Sequence, residues 1–279
     1  MFNSQHVSDK SGSPTDLLER LTCSMADAMR SEAESAIIAK TKLIQTTLDP
    51  LSFPADPEAA LQSSESMPVG FCGFNGQYVR ASLLLYLMKT LSIDSFIETG
   101  TFRGETCLLV AAQTDARIQS CDVVDGHVSF AQRVLAPFGE RVQIELQDSR
   151  DFLKQKIAEK NLGRPLLYLD AHWFRDLPLI GELEVILAGL EEYIIVIDDF
   201  RVPSDNGFGF DSYGRISLEW NLIAPTVLNS ARPPSVWYPS YPSKLETGPK
   251  RGFVLLTSGE MRNAVSAAVP SSVLCCAHS

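Results

Sequence analysis

Acidic side chains close several of the apolar runs in this 279-residue chain. A carboxylate at the carboxyl end of a strand in an open sheet is placed to meet a ligand. Phe96-Ile97 stops at Glu98, "LLYLDAHW" turns polar at Asp170, and "YIIVIDDF" ends on Asp198-Asp199. If the last two runs are neighbouring strands, about 4.8 Å apart, Asp170, Asp198 and Asp199 converge. Uncompensated carboxylates so close raise one another's pKa values, and a hard cation relieves the repulsion. Oxygen ligands select Mg²⁺ or another hard divalent cation over zinc. In the other reading Asp199 caps the next segment, Asp198 pairs with an arginine such as Arg201, and only Asp170 meets a ligand. His172, two residues beyond Asp170, titrates near neutrality. It is either a general base or a ring packed beside Trp173.

Those residues need a scaffold, and the chain from about residue 76 supplies one. Strands are expected at Ser95–Glu98, Arg117–Val123, Val142–Leu146, Pro165–Asp170, Tyr193–Asp198, Ser235–Tyr238 and Gly252–Thr257. Helices are expected between them at Thr106–Gln113, Val128–Leu135, Ser149–Lys160 and Pro178–Leu190. Strands that alternate with helices imply an α/β fold, a Rossmann-like, doubly wound, mostly parallel sheet, here of seven strands. The unbroken apolar runs suit central parallel strands buried on both faces.

The turn after the first strand, "ETGTFRGET", carries Glu98, Thr99, Gly100, Thr101 and Gly104. It lacks the G-x-G-x-x-G of a dinucleotide fingerprint, which argues against a nicotinamide oxidoreductase. An acidic residue about 20 positions on, at the tip of the second strand, can accept from ribose hydroxyls. Asp122 is that residue, with Asp125 as its competitor. Asp148, beside Ser149 at the third strand tip, either meets the same ligand or caps the next helix, and the two roles are compatible. "PSDNGFGFDSYG" follows the acidic pair, and its Phe208, Phe210 and Tyr213 line an acceptor pocket or pin the loop. In "KLETGPKRGF", Glu246, Lys250 and Arg251 reach the substrate edge or form a solvated turn. His127 is expected near the same ligand, in a structural role.

The E-x-G-x-x-x-G turn resembles motif I of class I S-adenosylmethionine-dependent methyltransferases. The phrases "IETGTFRGET", "YLDAHW", "PLIGELE" and "IDDFRVP" extend that likeness over residues 70 to 257. The acidic positions after strands four and five are similar to those of metal-dependent natural-product and sugar O-methyltransferases of the macrocin and novobiocin type. The resemblance implies S-adenosylmethionine held by Glu98, Thr99, Gly100, Thr101, Gly104, Asp122, Asp148, Ser149 and Asp170, with the loop amides on the methionine carboxylate and Glu98 on its ammonium. It implies Mg²⁺ on Asp170, Asp198 and Asp199, His172 and Asp170 in catalysis, and a small hydroxylated metabolite or sugar as acceptor. "RVPSDNGFGFDSYG" departs from the sugar enzymes, so their substrates do not carry over. A metal-dependent hydroxylase or a non-catalytic S-adenosylmethionine-binding protein on the same fold is the alternative.

Net charge of −10 and a pI near 4.9 oppose general attraction to nucleic acid or anionic membranes. No run approaches the roughly 18 apolar residues of a membrane span. The polar start is not a secretory signal, and a cytoplasmic protein is expected. Cys107 and Cys121 fall in core elements, and no zinc spacing occurs among the six cysteines. Residues 1–75 read as a polar tail plus a helical extension, with apolar residues at Leu18, Leu21, Met25 and Met29. That extension covers the substrate site, forms a homodimer contact, or packs on the domain of residues 76–279.

Overall fold

The computed structural model describes Phe53 and residues 56–63, 73–172 and 176–278. The expected N-terminal helix from Ser13, the loop at Trp173, and Cys23 and Cys72 lie outside the described residues. Helix α1 spans Pro57–Ser63. Pro57 takes the first helical position, where a missing N–H costs nothing, and Asp56 Oδ1 accepts from Glu58 N at 2.9 Å. Phe53 stacks on Tyr78 at 5.6 Å between centroids.

Helix α2 (Tyr78–Thr90) is buried along most of its length, Arg80 included. After it come β1 (Ser95–Thr99), α3 (Glu105–Gln113), β2 (Arg117–Asp122), α4 (Asp125–Leu135), β3 (Val142–Leu146) and α5 (Ser149–Ala158). The second half holds β4 (Pro165–Leu169), α6 (Leu179–Gly189), β5 (Ile194–Ile197), a small hairpin of β6 (Ser212–Tyr213) and β7 (Ile216–Ser217), and α7 (Trp220–Leu228). It closes with β8 (Ser235–Pro239), β9 (Val254–Thr257), α8 (Gly259–Ala268) and β10 (Leu274–His278).

The main sheet runs β10-β8-β9-β5-β4-β1-β2-β3. Strands β3, β2, β1, β4 and β5 are mutually parallel, and β9 lies antiparallel between β5 and β8. The doubly wound sheet is the one expected, with an eighth strand beyond the seven. That strand, β10, pairs antiparallel with β8 through Leu274↔Pro239 and Cys276↔Trp237. Strands β1, β4 and β5 are buried at every position, so their apolar runs follow from cover on both faces.

Strand order reverses between β1 and β4, and ligands of such sheets bind outside the carboxyl ends at that reversal. The three central tips are in register there. Asp170 N donates to Thr99 O at 3.0 Å, and Asp198 N donates to Leu169 O at 3.1 Å. The acids that follow β4 and β5 therefore emerge side by side.

Candidate active site at the carboxyl ends of the strands

Glu98 is 2 % exposed, and its Oε2 accepts from Ser120 Oγ at 3.0 Å and Cys107 Sγ at 2.9 Å. Burial pushes its pKa up to about 7, against the lowering effect of those donors. Glu98 lines a cavity of ≈ 390 Å³ together with Gly100, Thr101, Phe102, Thr106 and Asp170. Gly100 has φ +86°, and a Cβ there would be driven into the Asp170 carbonyl. Only glycine lets the β1 turn lie so close to the end of β4. Gly104, at φ +74°, lets α3 start against Ala131 and Leu135 of α4.

A second cavity of ≈ 410 Å³ shares Gly100, Phe102 and Asp170 with the first. Asp122, Asp148, Ser149 and His172 all line it. Asp122 accepts from Phe102 N at 2.9 Å and Val124 N at 2.8 Å, with His127 Nδ1 at 3.2 Å. Asp125 is exposed at the start of α4, outside this cavity. His127 sits edge-on to Phe102 at 4.9 Å. Asp148 caps α5 by accepting from Arg150 N at 3.0 Å, and its side chain also pairs with Arg150 at 2.6 Å. That pairing with Arg150 lowers its pKa. Thr99 and Gly104, expected to touch the cofactor, line neither cavity. Thr99 follows Glu98 in the strand, so its side chain projects from the other sheet face, toward Glu182.

The acids after β4 and β5 divide differently from the expected set. Asp170, His172 and Asp199 each bring a ligand atom within 4.8 Å of the others. Asp198 stands apart because its carboxylate is already used. It pairs with Arg80 and accepts from the Tyr168 hydroxyl at 2.5 Å, Asn75 Nδ2 at 3.0 Å and Asp199 N at 2.7 Å. The expected partner Arg201 instead pairs with Glu219 at 2.9 Å. Burial, then Asp198 and Asp199, pushes the Asp170 pKa well up. Burial, then Asp198, raises Asp199 to about 6, and burial lowers that of His172. His172 is 3 % exposed, and neither ring nitrogen has a hydrogen-bond partner. Nε2 lies 3.6 Å from Asp170 Oδ1, too far for a good bond. A buried imidazole with no partner, between two carboxylates with raised pKa values, suits a divalent cation on all three side chains.

Asp211, which the sequence did not single out, frames this cluster together with Arg251 and Tyr213. Arg251, expected in a turn, donates from Nε to Asp199 at 2.5 Å and pairs with Asp211. Asp211 N donates to Asp199 O at 2.9 Å, and the Tyr213 hydroxyl lies 2.7 Å from Asp211 Oδ2 and 2.8 Å from His172 O. Phe208 is buried edge-on to Tyr241, and Phe210 lies under Arg201, so these two rings pin the loop rather than line a pocket. Glu246 neither reaches the substrate edge nor sits in a solvated turn. It is buried and accepts from Val79 N at 3.1 Å, Arg80 N at 2.8 Å and the Tyr241 hydroxyl at 2.7 Å. Asn75 and Arg80 carried no motif signal, because their role rests on contacts more than 100 residues away in sequence.

The sequence matches no family profile and no curated protein. Among solved structures, the O-methyltransferase from Bacillus cereus, in complex with SAH, aligns with a TM-score of 0.50 at 16% identity. The alignment covers 81% of this chain and 100% of that one. The SAH-bound Podospora anserina methyltransferase aligns with a TM-score of 0.46 at 12% identity, over 91% of this chain and 98% of that one. The Bacillus cereus likeness is one of fold: both chains have the same doubly wound sheet.

Proposed function

We propose that this chain is an S-adenosylmethionine-dependent O-methyltransferase, assisted by a divalent cation, that acts on a small hydroxylated metabolite or sugar. One observation carries the reading. The Glu98 and Asp122 cavities meet at Gly100, Phe102 and Asp170, and the joint cleft ends at Asp170, His172 and Asp199. A bent amino-acid–nucleoside cofactor has its polar groups at the Glu98 end and the Asp122–Asp148 end, with its reactive centre between them. The cofactor supplies an electrophilic methyl group, and the cation supplies a lower pKa for an acceptor hydroxyl.

The chain's own residues do the rest. Glu98 accepts from the cofactor ammonium, and the backbone around Gly100 leaves room for its carboxylate. Asp122 takes ribose hydroxyls, and Asp148 takes the adenine amino group with the oxygen capacity left beside Arg150. Asp170, His172 and Asp199 hold the cation. Burial keeps the imidazole neutral, the form that binds a cation or takes up a proton. The imidazole favours Mn²⁺ or Co²⁺ alongside the Mg²⁺ expected from oxygen ligands alone. Orienting the acceptor oxygen behind the methyl group is worth several kcal/mol, roughly 7–11 at best.

One imidazole with two carboxylates differs from the two imidazoles and one carboxylate of non-haem iron oxygenases, which disfavours the hydroxylase alternative. Among the described residues no helix is long and apolar enough to cross a membrane. The test is transfer of a labelled methyl group from S-adenosylmethionine to a panel of vicinal diols and catechols. Turnover is expected with Mg²⁺ or Mn²⁺ and is expected to vanish in EDTA. Activity unchanged by EDTA would remove the cation, and no calorimetric binding of S-adenosylhomocysteine at millimolar concentration would sink the whole reading.

A further inference from the structure

Asp198 and Asp199 are adjacent in sequence and meet opposite surroundings. Two carboxylate oxygens offer about four lone-pair sites. At Asp198 four donors use them: Arg80 Nη1, the Tyr168 hydroxyl, Asn75 Nδ2 and Asp199 N. Both members of the Arg80–Asp198 pair are buried, at 0 % and 1 % exposure. Recruiting Asp198 to a cation would strip a partner from Arg80 and leave a buried charge unpaired, a strongly unfavourable arrangement.

Asp199 lies in the left-handed region, at φ +51°. A non-glycine residue stays there only where its surroundings over-determine it. Two contacts do so. Asp199 N donates to Asp198 Oδ1 at 2.7 Å, and Asp199 O accepts from Asp211 N at 2.9 Å. Strand alternation puts Asp198 on the same sheet face as Val196 and its cross-strand partner Tyr168, toward α2. The left-handed turn at the next residue then brings the Asp199 side chain to Asp170 and His172.

We propose that Asp198 is a positioning residue and not a cation ligand: anchored by Arg80, Tyr168 and Asn75, its carboxylate grips the Asp199 N–H and holds Asp199 in the backbone conformation that aims it at the Asp170–His172 cluster. The acidic pair is thus split into an anchor and a ligand, with α2 supplying the counter-charge. This rests on the reading of Asp170, His172 and Asp199 as a cation site.

Co²⁺ alone is the probe, because its visible absorption bands report the ligand set independently of turnover. Wild-type protein is expected to bind one Co²⁺ with a defined spectrum. Asp198→Asn should weaken binding roughly tenfold and leave the bands in place, as loss of a supporting contact does. Asp199→Asn should weaken binding by about 100-fold or more, or shift the bands, as loss of a ligand does. If Asp198→Asn unfolds the chain, the charge-neutral pair Arg80→Gln/Asp198→Asn carries the same measurement. Shifted bands in the Asp198 variant would make it a ligand and overturn this inference alone. So would unchanged affinity and unchanged bands. No Co²⁺ bound by the wild-type protein would overturn the cation site and this inference with it.

Discussion

The two halves of the cleft are built on opposite principles. The half at the tips of β1, β2 and β3 is shaped by main chain: Gly100 at φ +86°, amides of Phe102 and Val124 fixed on Asp122, and a helix start at Gly104. Glu98, Asp122 and Asp148 all have protein partners there. The half at the tips of β4 and β5 is shaped by side chains, and it keeps buried polar atoms without partners at His172. The first half resembles a mould for a ligand of fixed shape. The second holds carboxylates whose pKa values burial and mutual repulsion raise, and the two halves touch where Gly100 meets Asp170.

Breaking that contact should have the largest effect. Gly100→Val places a β-branched side chain at positive φ and against the Asp170 carbonyl, at a cost of about 3 kcal/mol or more. S-adenosylhomocysteine binding by calorimetry should fall at least roughly 100-fold, and Co²⁺ binding should weaken too. Loss of the first with an untouched Co²⁺ site would show the two halves to be more independent than their shared contact suggests. Glu98→Gln is the intermediate case and probes the mould alone. With its pKa at about 7, Glu98 is protonated in slightly acidic buffer, whereas a cofactor ammonium favours the carboxylate. S-adenosylhomocysteine affinity should therefore rise between about pH 6 and about pH 8, and Glu98→Gln should flatten that rise and cost roughly tenfold at the upper end. A flat wild-type profile would separate Glu98 from the ammonium.

The smallest effect belongs to Glu182, behind the mould. It is fully buried, and the hydroxyls of Ser149 and Thr99 face it without reaching hydrogen-bond geometry. Burial raises its pKa from 4.5 to about 7. The folded state holds the extra proton, so the stability this group contributes is complete below the unfolded pKa and is lost as pH rises through about 7. Glu182→Gln should leave Tm unchanged near about pH 4 and raise it a few degrees near about pH 8, on the order of 2 kcal/mol. It should leave S-adenosylhomocysteine affinity intact. A fall in Tm at the alkaline end would mean that the carboxylate has a partner there.

The tips of β1, β4 and β5 were legible because parallel core strands are apolar to their ends, so a carboxylate that stops the run marks an edge. Glu98 and Asp170 were placed by that rule, and Asp122 by its distance of about 20 residues from the glycine turn. Asp198 was grouped with the cation ligands because sequence order gives proximity but not which oxygen lone pairs are already occupied. Arg80, in a helix that carries no motif, gave no hint of its partner 118 residues away. Arg251 read as a turn residue because its link to Asp199 and Asp211 exists only once β9 has inserted beside β5. Strand β10 was missed because "LCCAH" is short and without clear alternation, and its place comes from pairing with β8.

The clasp between α2 and the segment around residues 246–252 also bears on how the protein is made. Gln77 and Arg251 exchange two hydrogen bonds across 174 residues, and Val79 N reaches Glu246 across 167. A nascent chain that has emerged only to Asp199 already owns Asp170, His172 and Asp199, but it lacks the grip on the start of α2 and the arginine on Asp199. Contacts of such sequence separation form late, after the local β–α units have assembled. The cluster therefore takes its final shape only after residues 246–252 have emerged, and a chain lacking them would carry the acids without their arrangement.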